Sequence, residues 1–170
     1  MNGIALTASE LVASLQNEVR ILLHLAGKVD RNQLDYRPTP KQRSTIELLR
    51  YLSVMGPALI PAIKAGKFEP AAFGAAMATA NAMDFNQVMA AIEKESSVYA
   101  ELVGGFTEEE LRGDVALFGP PSSRGSMIVN MVLSGHAAYR TQLFLYLKAC
   151  GREELSTMNL WGGMDAPVPA

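Results

Sequence analysis

Between Arg124 and Lys148 the chain carries one charged side chain, Arg140, in a glycine-bounded stretch (Gly125 to Gly151) that also holds His136, Tyr139 and Gln142. A helix so poor in charge has to be buried on most sides. An arginine inside it needs a partner, because an unpaired buried charge costs several kcal/mol whereas a paired one is close to neutral. The stretch therefore places a polar site inside a helical core, without naming a reaction.

The 170 residues suit one domain, large enough to bury about 70% of the surface its unfolded chain exposes. A net charge of −2 gives no electrostatic drive toward nucleic acid or anionic lipid. The basic residues Lys28, Arg31, Arg37, Lys41, Arg43 and Arg50 crowd one region, but Asp30, Asp35 and Glu47 interleave them, which makes a solvated face and not a nucleic-acid-binding one. Cys150 is the single cysteine and no asparagine begins an Asn-x-Ser/Thr acceptor, both of which point to the reducing cytoplasm. Met1 to Glu10 has no basic start followed by an apolar run, so it does not read as a secretion signal. Ser126 to Leu147 is long enough to span a bilayer, yet a central Arg140 costs about 3 kcal/mol on insertion scales and no second span shelters it, so no membrane role is expected.

Helical signals recur along the chain. Thr7-x-x-Glu10 has capping-box spacing, followed by Leu11, Leu15, Val19, Leu22 and Ala26 at three- to four-residue intervals, with Gly27 as the stop. A polar connection from Lys28 to Arg43 leads to Ser44-x-x-Glu47, which opens a second helix whose inner face is Leu48, Tyr51, Leu52, Met55 and Leu59. Gly56-Pro57 and Pro61 predict a kink near Gly56 or a second short helix ending at Gly66. Lys67 to Met83 is Ala-rich and almost uncharged, and its length suits a crossover that lets the flanking helices run parallel. Asp84 caps a third long helix with the stripe Phe85, Val88, Met89, Ile92, Tyr99, Leu102 and Val103, ended by Gly104-Gly105. Thr107-x-x-Glu110 starts one short turn, Gly119-Pro120-Pro121 breaks the chain, and the fourth long helix runs from Ser122–Ser126 to Cys150. The fold class is all-α: residues 1–151 form a four-helix bundle, and 152–170, with the lone Trp161, form a tail that packs on the bundle or on a dimer partner.

No Gly-x-Ser-x-Gly, P-loop, Gly-x-Gly-x-x-Gly, His-Glu-x-x-His or Cys-x-x-Cys occurs, so the common catalytic templates drop out. His136 and Arg140, at i and i+4, share one helix face. Two readings stand: a site for a small anionic ligand gripped by the arginine fork, or an internal pair closed by Glu18, Glu47 or a tail carboxylate. Tyr51 and Tyr139 either orient a ligand through their hydroxyls or simply pack their rings. His24, near the end of the first helix, reads as a surface or helix-dipole partner. The candidate ligand-binding residues are thus Tyr51, His136, Tyr139 and Arg140; no catalytic residue, cofactor or metal ligand is assigned.

Leu34-Asp35-Tyr36-Arg37-Pro38, then Ser44-Thr45-Ile46-Glu47-Leu48-Leu49-Arg50-Tyr51-Leu52, and His136-Ala137-Ala138-Tyr139-Arg140-Thr141-Gln142-Leu143 followed by Tyr146-Leu147 and Gly151, resemble in order the landmarks of the DinB-like metalloprotein superfamily over residues 9–151. The resemblance implies an up-down-down-up four-helix bundle with a long crossover between helices two and three. It also implies a homodimer, and a divalent metal held by three histidines; some members are thiol-dependent S-transferases or isomerases. This chain departs from that pattern at the metal. Tyr51 stands at the first histidine position; one register puts Gly135 and Tyr139 at the other two, the second keeps His136 but puts Arg140 last. Neither retains more than one imidazole, too few for a tetrahedral or octahedral shell.

Three functions follow as expectations. The first is a metal-free binding or structural homodimer with a polar core around Arg140. The second is a thiol-dependent transferase or other metal-dependent enzyme of the DinB type. The third is a partner-binding module that uses the Trp161 tail.

Overall fold

The computed structural model describes residues 6–167. Four capping boxes act as sequence and physics require: the side chains of Thr7, Ser44, Asp84 and Thr107 each accept a hydrogen bond from the backbone amide three residues on, and each of these residues donates its own backbone N–H to that residue's side chain. They open α1 (Ala8–Ala26), α2 (Thr45–Ala65), α4 (Phe85–Gly104) and the short α5 (Glu108–Arg112). Between α2 and α4 lies α3 (Pro70–Asn81), and beyond α5 come α6 (Arg124–Ile128) and α7 (Ser134–Ala149). Val129–Leu133 joins α6 to α7 as a π-helical turn, so 124–149 is one continuous rod. Asp114–Val115 and Ser122–Ser123 pair antiparallel across the proline-rich loop, Asp114 opposite Ser123 and Val115 opposite Ser122.

The core lies where α1, α2, α4 and the 124–149 rod meet. Leu11, Leu15, Val19 and Leu22 of α1 pack with Leu48, Leu52, Met55 and Ile60 of α2, with Val88, Ile92 and Val103 of α4, and with Ile128, Val132 and Leu143 of the rod. Along the rod the buried positions Ile128, Val132, His136 and Arg140 advance four residues at a time. In a regular α-helix each such step drifts by about 40° from the buried face. The wider, i→i+5-bonded turn at Val129–Leu133 offsets that drift and brings His136 and Arg140 back to the interior.

Within the Lys67 to Met83 segment read as a crossover, twelve residues fold into α3, whose Pro70 sits at the first turn, where its missing N–H is not needed. The second helix does not give way to a further short helix after Gly56-Pro57: α2 runs through Pro57 and Pro61 to Ala65 and is closed by Gly66, whose φ of 68° favours glycine. Among the described residues α2 is the one helix long and apolar enough to cross a membrane, and 56% of that apolar window is buried inside the bundle.

The tail folds back on its own chain. A π turn at Met158–Gly162 lies against α1, with Leu155 and Asn159 buried. Asn159 Nδ2 donates to His24 Nε2 (3.1 Å) and to Asp165 Oδ1 (2.9 Å), Lys28 Nζ donates to Asp165 (2.8 Å), and Arg20 Nη1 donates to the Gly162 carbonyl (2.9 Å). His24 thus anchors the tail instead of standing at a free helix end. Its pKa is lowered by burial, and accepting a hydrogen bond at Nε2 keeps the ring neutral.

Candidate functional site

The four candidate residues fall into three groups, with no hydrogen bond, ion pair or ring contact among the described residues joining one group to another. The first group is Arg140 of α7. Its Nε donates to Glu18 Oε2 at 2.5 Å and its Nη2 to Glu18 Oε1 at 3.3 Å, with both side chains buried. Nη1 donates to the Leu160 carbonyl, and the Trp161 ring lies 5.3 Å from the guanidinium carbon. Of the three carboxylate sources open to Arg140, the fold therefore selects Glu18; Glu47 instead pairs with Arg37 (3.2 Å) and caps α2. The arginine fork is filled from within the chain.

The second group surrounds His136, which is 1% exposed. The Tyr99 hydroxyl lies 2.6 Å from His136 Nε2 and 2.9 Å from Glu95 Oε2, and Nε2 is 3.5 Å from that carboxyl oxygen. Tyr99 and Glu95 come from adjacent turns of α4, and the phenol reaches the triad because Gly56 of α2 leaves room for it. Burial pushes Glu95 up to about 8 and His136 down to about 4, and holds Tyr99 far above the ordinary phenol range. Near neutral pH an uncharged relay satisfies the short contacts: the Glu95 carboxyl donates to the Tyr99 oxygen, which donates to His136 Nε2. Glu95 Oε1 and His136 Nδ1 have no partner among the described residues. Moving the proton from Glu95 to His136 leaves the count unchanged, so the pair holds one proton in either arrangement.

That count sets a pH dependence. Glu95 binds its proton more tightly folded than unfolded (about 8 against 4.5), so its stabilisation is complete below pH 4.5 and is lost as pH rises through 8. His136 binds its proton less tightly folded (about 4 against 6.5), so its contribution is complete above pH 6.5 and is lost as pH falls through 4. Between 4.5 and 6.5 the two slopes cancel. From pH 6.5 to 8 the triad alone should lower stability by about 2 kcal/mol, at about 1.4 kcal/mol per pH unit. Urea unfolding across that range checks this, and Glu95→Gln should flatten the alkaline decline.

The third group is Tyr51 and Tyr139, whose rings meet edge to face at 5.1 Å. The Arg43 guanidinium lies 4.0 Å above the Tyr51 ring, and Tyr146 donates its hydroxyl proton to the Arg43 carbonyl (2.9 Å). Burial and the neighbouring Tyr139 hydroxyl push Tyr51 up to about 12. One turn before Tyr139, Gly135 faces Met55, whose sulfur would lie 2.9 Å from a Cβ at that position.

Sequence reasoning missed Glu95, Tyr99 as a polar residue, and Arg43. The signal for Glu95 was present: it falls three residues after Ile92 and four before Tyr99, squarely on the apolar stripe, but it is masked by the charged neighbours Glu93 and Lys94.

No family model matches the chain, and no curated protein does. Among solved structures, a DinB-like protein (YjoA) from Bacillus subtilis is similar, with a TM-score of 0.64 and 17% identity over 86% of this chain and 95% of that one. A likeness at that identity speaks for architecture alone, and the chain accordingly has an all-α, DinB-like fold.

Proposed function

We propose that this chain is a metal-free DinB-like protein that acts as a small-ligand-binding or structural homodimer in the cytoplasm, its helices in up-down-down-up order with α3 in the crossover. The observation that carries the reading is the contact of Tyr51 with Tyr139. In the register that places Tyr51, Gly135 and Tyr139 at the three histidine positions, the two residues that bear side chains long enough to ligate are phenols packed ring to ring. Tyr51 is held protonated by burial, and the Gly135 position is closed by Met55. In the other register His136 is hydrogen-bonded to Tyr99 and Arg140 is a cation paired with Glu18. Neither set suits a divalent ion, which needs three or more deprotonated or neutral donors converging on one point. Among the described residues no three His, Cys, Asp or Glu side chains converge in that way.

Thiol activation by Arg140 is disfavoured by the same geometry, since its charge is spent on Glu18. Native mass spectrometry of the full chain, after chelation and reloading with zinc and nickel, tests the proposal in one measurement. A dimer mass without added metal is expected. Stoichiometric metal uptake would overturn the metal-free reading, and a monomer at micromolar concentration would overturn the dimer.

A further inference from the structure

Arg43 is the one arginine among the described residues whose guanidinium makes neither a hydrogen bond nor an ion pair; the other eight are held by carbonyls, amides or carboxylates. It is fixed nonetheless. Its backbone is tied through the carbonyl that accepts from Tyr146, and its planar group lies on the Tyr51 ring at 4.0 Å. Stacking occupies the face of a guanidinium and leaves its edge, which carries the N–H donors, free to bind. The nearest acidic side chain in sequence, Glu47 one turn into α2, is already engaged by Arg37 and by the Ser44 amide, so it does not quench the charge. The Tyr51 ring that carries this stack meets the Tyr139 ring edge to face, and neither hydroxyl has a hydrogen-bond partner outside that pair among the described residues.

A cation with open donors, stacked on one of two phenols that pack ring to ring, is a receptor for one chemistry. We propose that Arg43, Tyr51 and Tyr139 form a binding site for a small anion bearing a carboxylate or phosphate, with the charge gripped by the Arg43 fork and one further oxygen met by a tyrosine hydroxyl. This deepens the ligand-binding half of the proposed function and moves the anion from Arg140, where the sequence suggested it, to the exposed Arg43 just ahead of α2. Tyr51 and Tyr139 keep the role that one reading of the sequence gave them. Arg140 and His136 lose it, because the Arg140 donors face Glu18 and Leu160 and His136 Nε2 faces Tyr99.

The test is a titration of the metal-stripped full chain with inorganic phosphate and, separately, with benzoate, followed by NMR at the arginine Nε–H and tyrosine ring resonances. Saturable shifts at Arg43 and Tyr51 are expected with at least one of the two, and the tighter ligand identifies the acid class. Arg43→Gln should weaken binding by about tenfold or more. Arg31→Gln should leave it unchanged, since Arg31 is likewise stacked on a ring, Phe85, but is hydrogen-bonded to Asn86. Shifts that never saturate, equal affinity in Arg43→Gln, or an equal loss in Arg31→Gln would overturn the site. A chain that takes neither anion yet remains a metal-free dimer loses this site and keeps its structural role, so the two failures are distinguishable.

Discussion

Gly56→Ala should be among the most damaging single-methyl additions in this protein, costing about 3–5 kcal/mol. A Cβ at position 56 would lie 1.8 Å from the Tyr99 hydroxyl and 2.6 Å from its ring carbon Cζ. Neither side has room to yield: α2 and α4 are packed against each other, and the phenol is 0% exposed. Overpacking of a tight core costs about 1–3 kcal/mol. Displacing the hydroxyl also strips Glu95 and His136 of their shared partner, and each buried polar group left unmatched costs a further 1–3 kcal/mol or so. For a chain of this size the melting temperature should fall by about 10 °C. The cause is separable: Gly56→Ala/Tyr99→Phe should remain destabilised, because Cζ and Cε1, at 2.6 and 2.7 Å, clash without the hydroxyl. A thermal scan showing Gly56→Ala within about 2 °C of the parent would contradict the packing described for α2 against α4.

Glu18→Ala should cost a comparable 3–5 kcal/mol by a different route. Its carboxylate meets Arg140 through two hydrogen bonds in a site where the arginine side chain is 4% exposed. Removing the carboxylate leaves a permanent cation in the core, with only the Leu160 carbonyl and the Trp161 ring to compensate it. The reverse deletion, Arg140→Met, should be milder, since the surviving carboxylate is nearer solvent. A double-mutant cycle in urea, with Glu18→Ala/Arg140→Met as the fourth corner, measures the coupling. A double variant more stable than Glu18→Ala, together with faster proteolysis after Gly151, is the expected pattern, because the tail loses its carbonyl contact as well. A Glu18→Ala protein as stable as the parent would mean that the pair is not buried as described.

The features legible in the sequence were those that local chemistry writes in a few adjacent residues. Thr7/Glu10, Ser44/Glu47, Asp84 and Thr107/Glu110 declare helix starts because the orphan amides of a first turn must be met nearby. The scarcity of charge from Gly125 to Gly151 declared a buried rod, and the need for a partner at Arg140 followed from it. Which partner did not: Glu18, Glu47 and a tail carboxylate are equivalent until the helices are placed. Pro57 and Pro61 read as breaks, yet they lie four residues apart on one side of α2, half-buried and exposed respectively, and the helix continues through both. α3 was illegible because its alanines carry no periodic contrast, and the π turn because an added i→i+5 bond leaves no mark on side-chain chemistry. Tyr51 and Tyr139 meet ring to ring, and Arg43, which lies outside any helix, is stacked on Tyr51 only through tertiary structure.

The ion pair between Glu18 and Arg140 joins positions 122 residues apart. Closing a loop of that length spends chain entropy before the contact returns anything. Apolar docking of α2 on α4 closes a shorter loop and dehydrates no charge. The assembly order that follows is an apolar collapse of the rods first, with the guanidinium dehydrating only once its carboxylate has already been carried alongside. A polar lock of this kind acts late, selecting the correctly registered bundle from near alternatives more than it drives the chain to collapse.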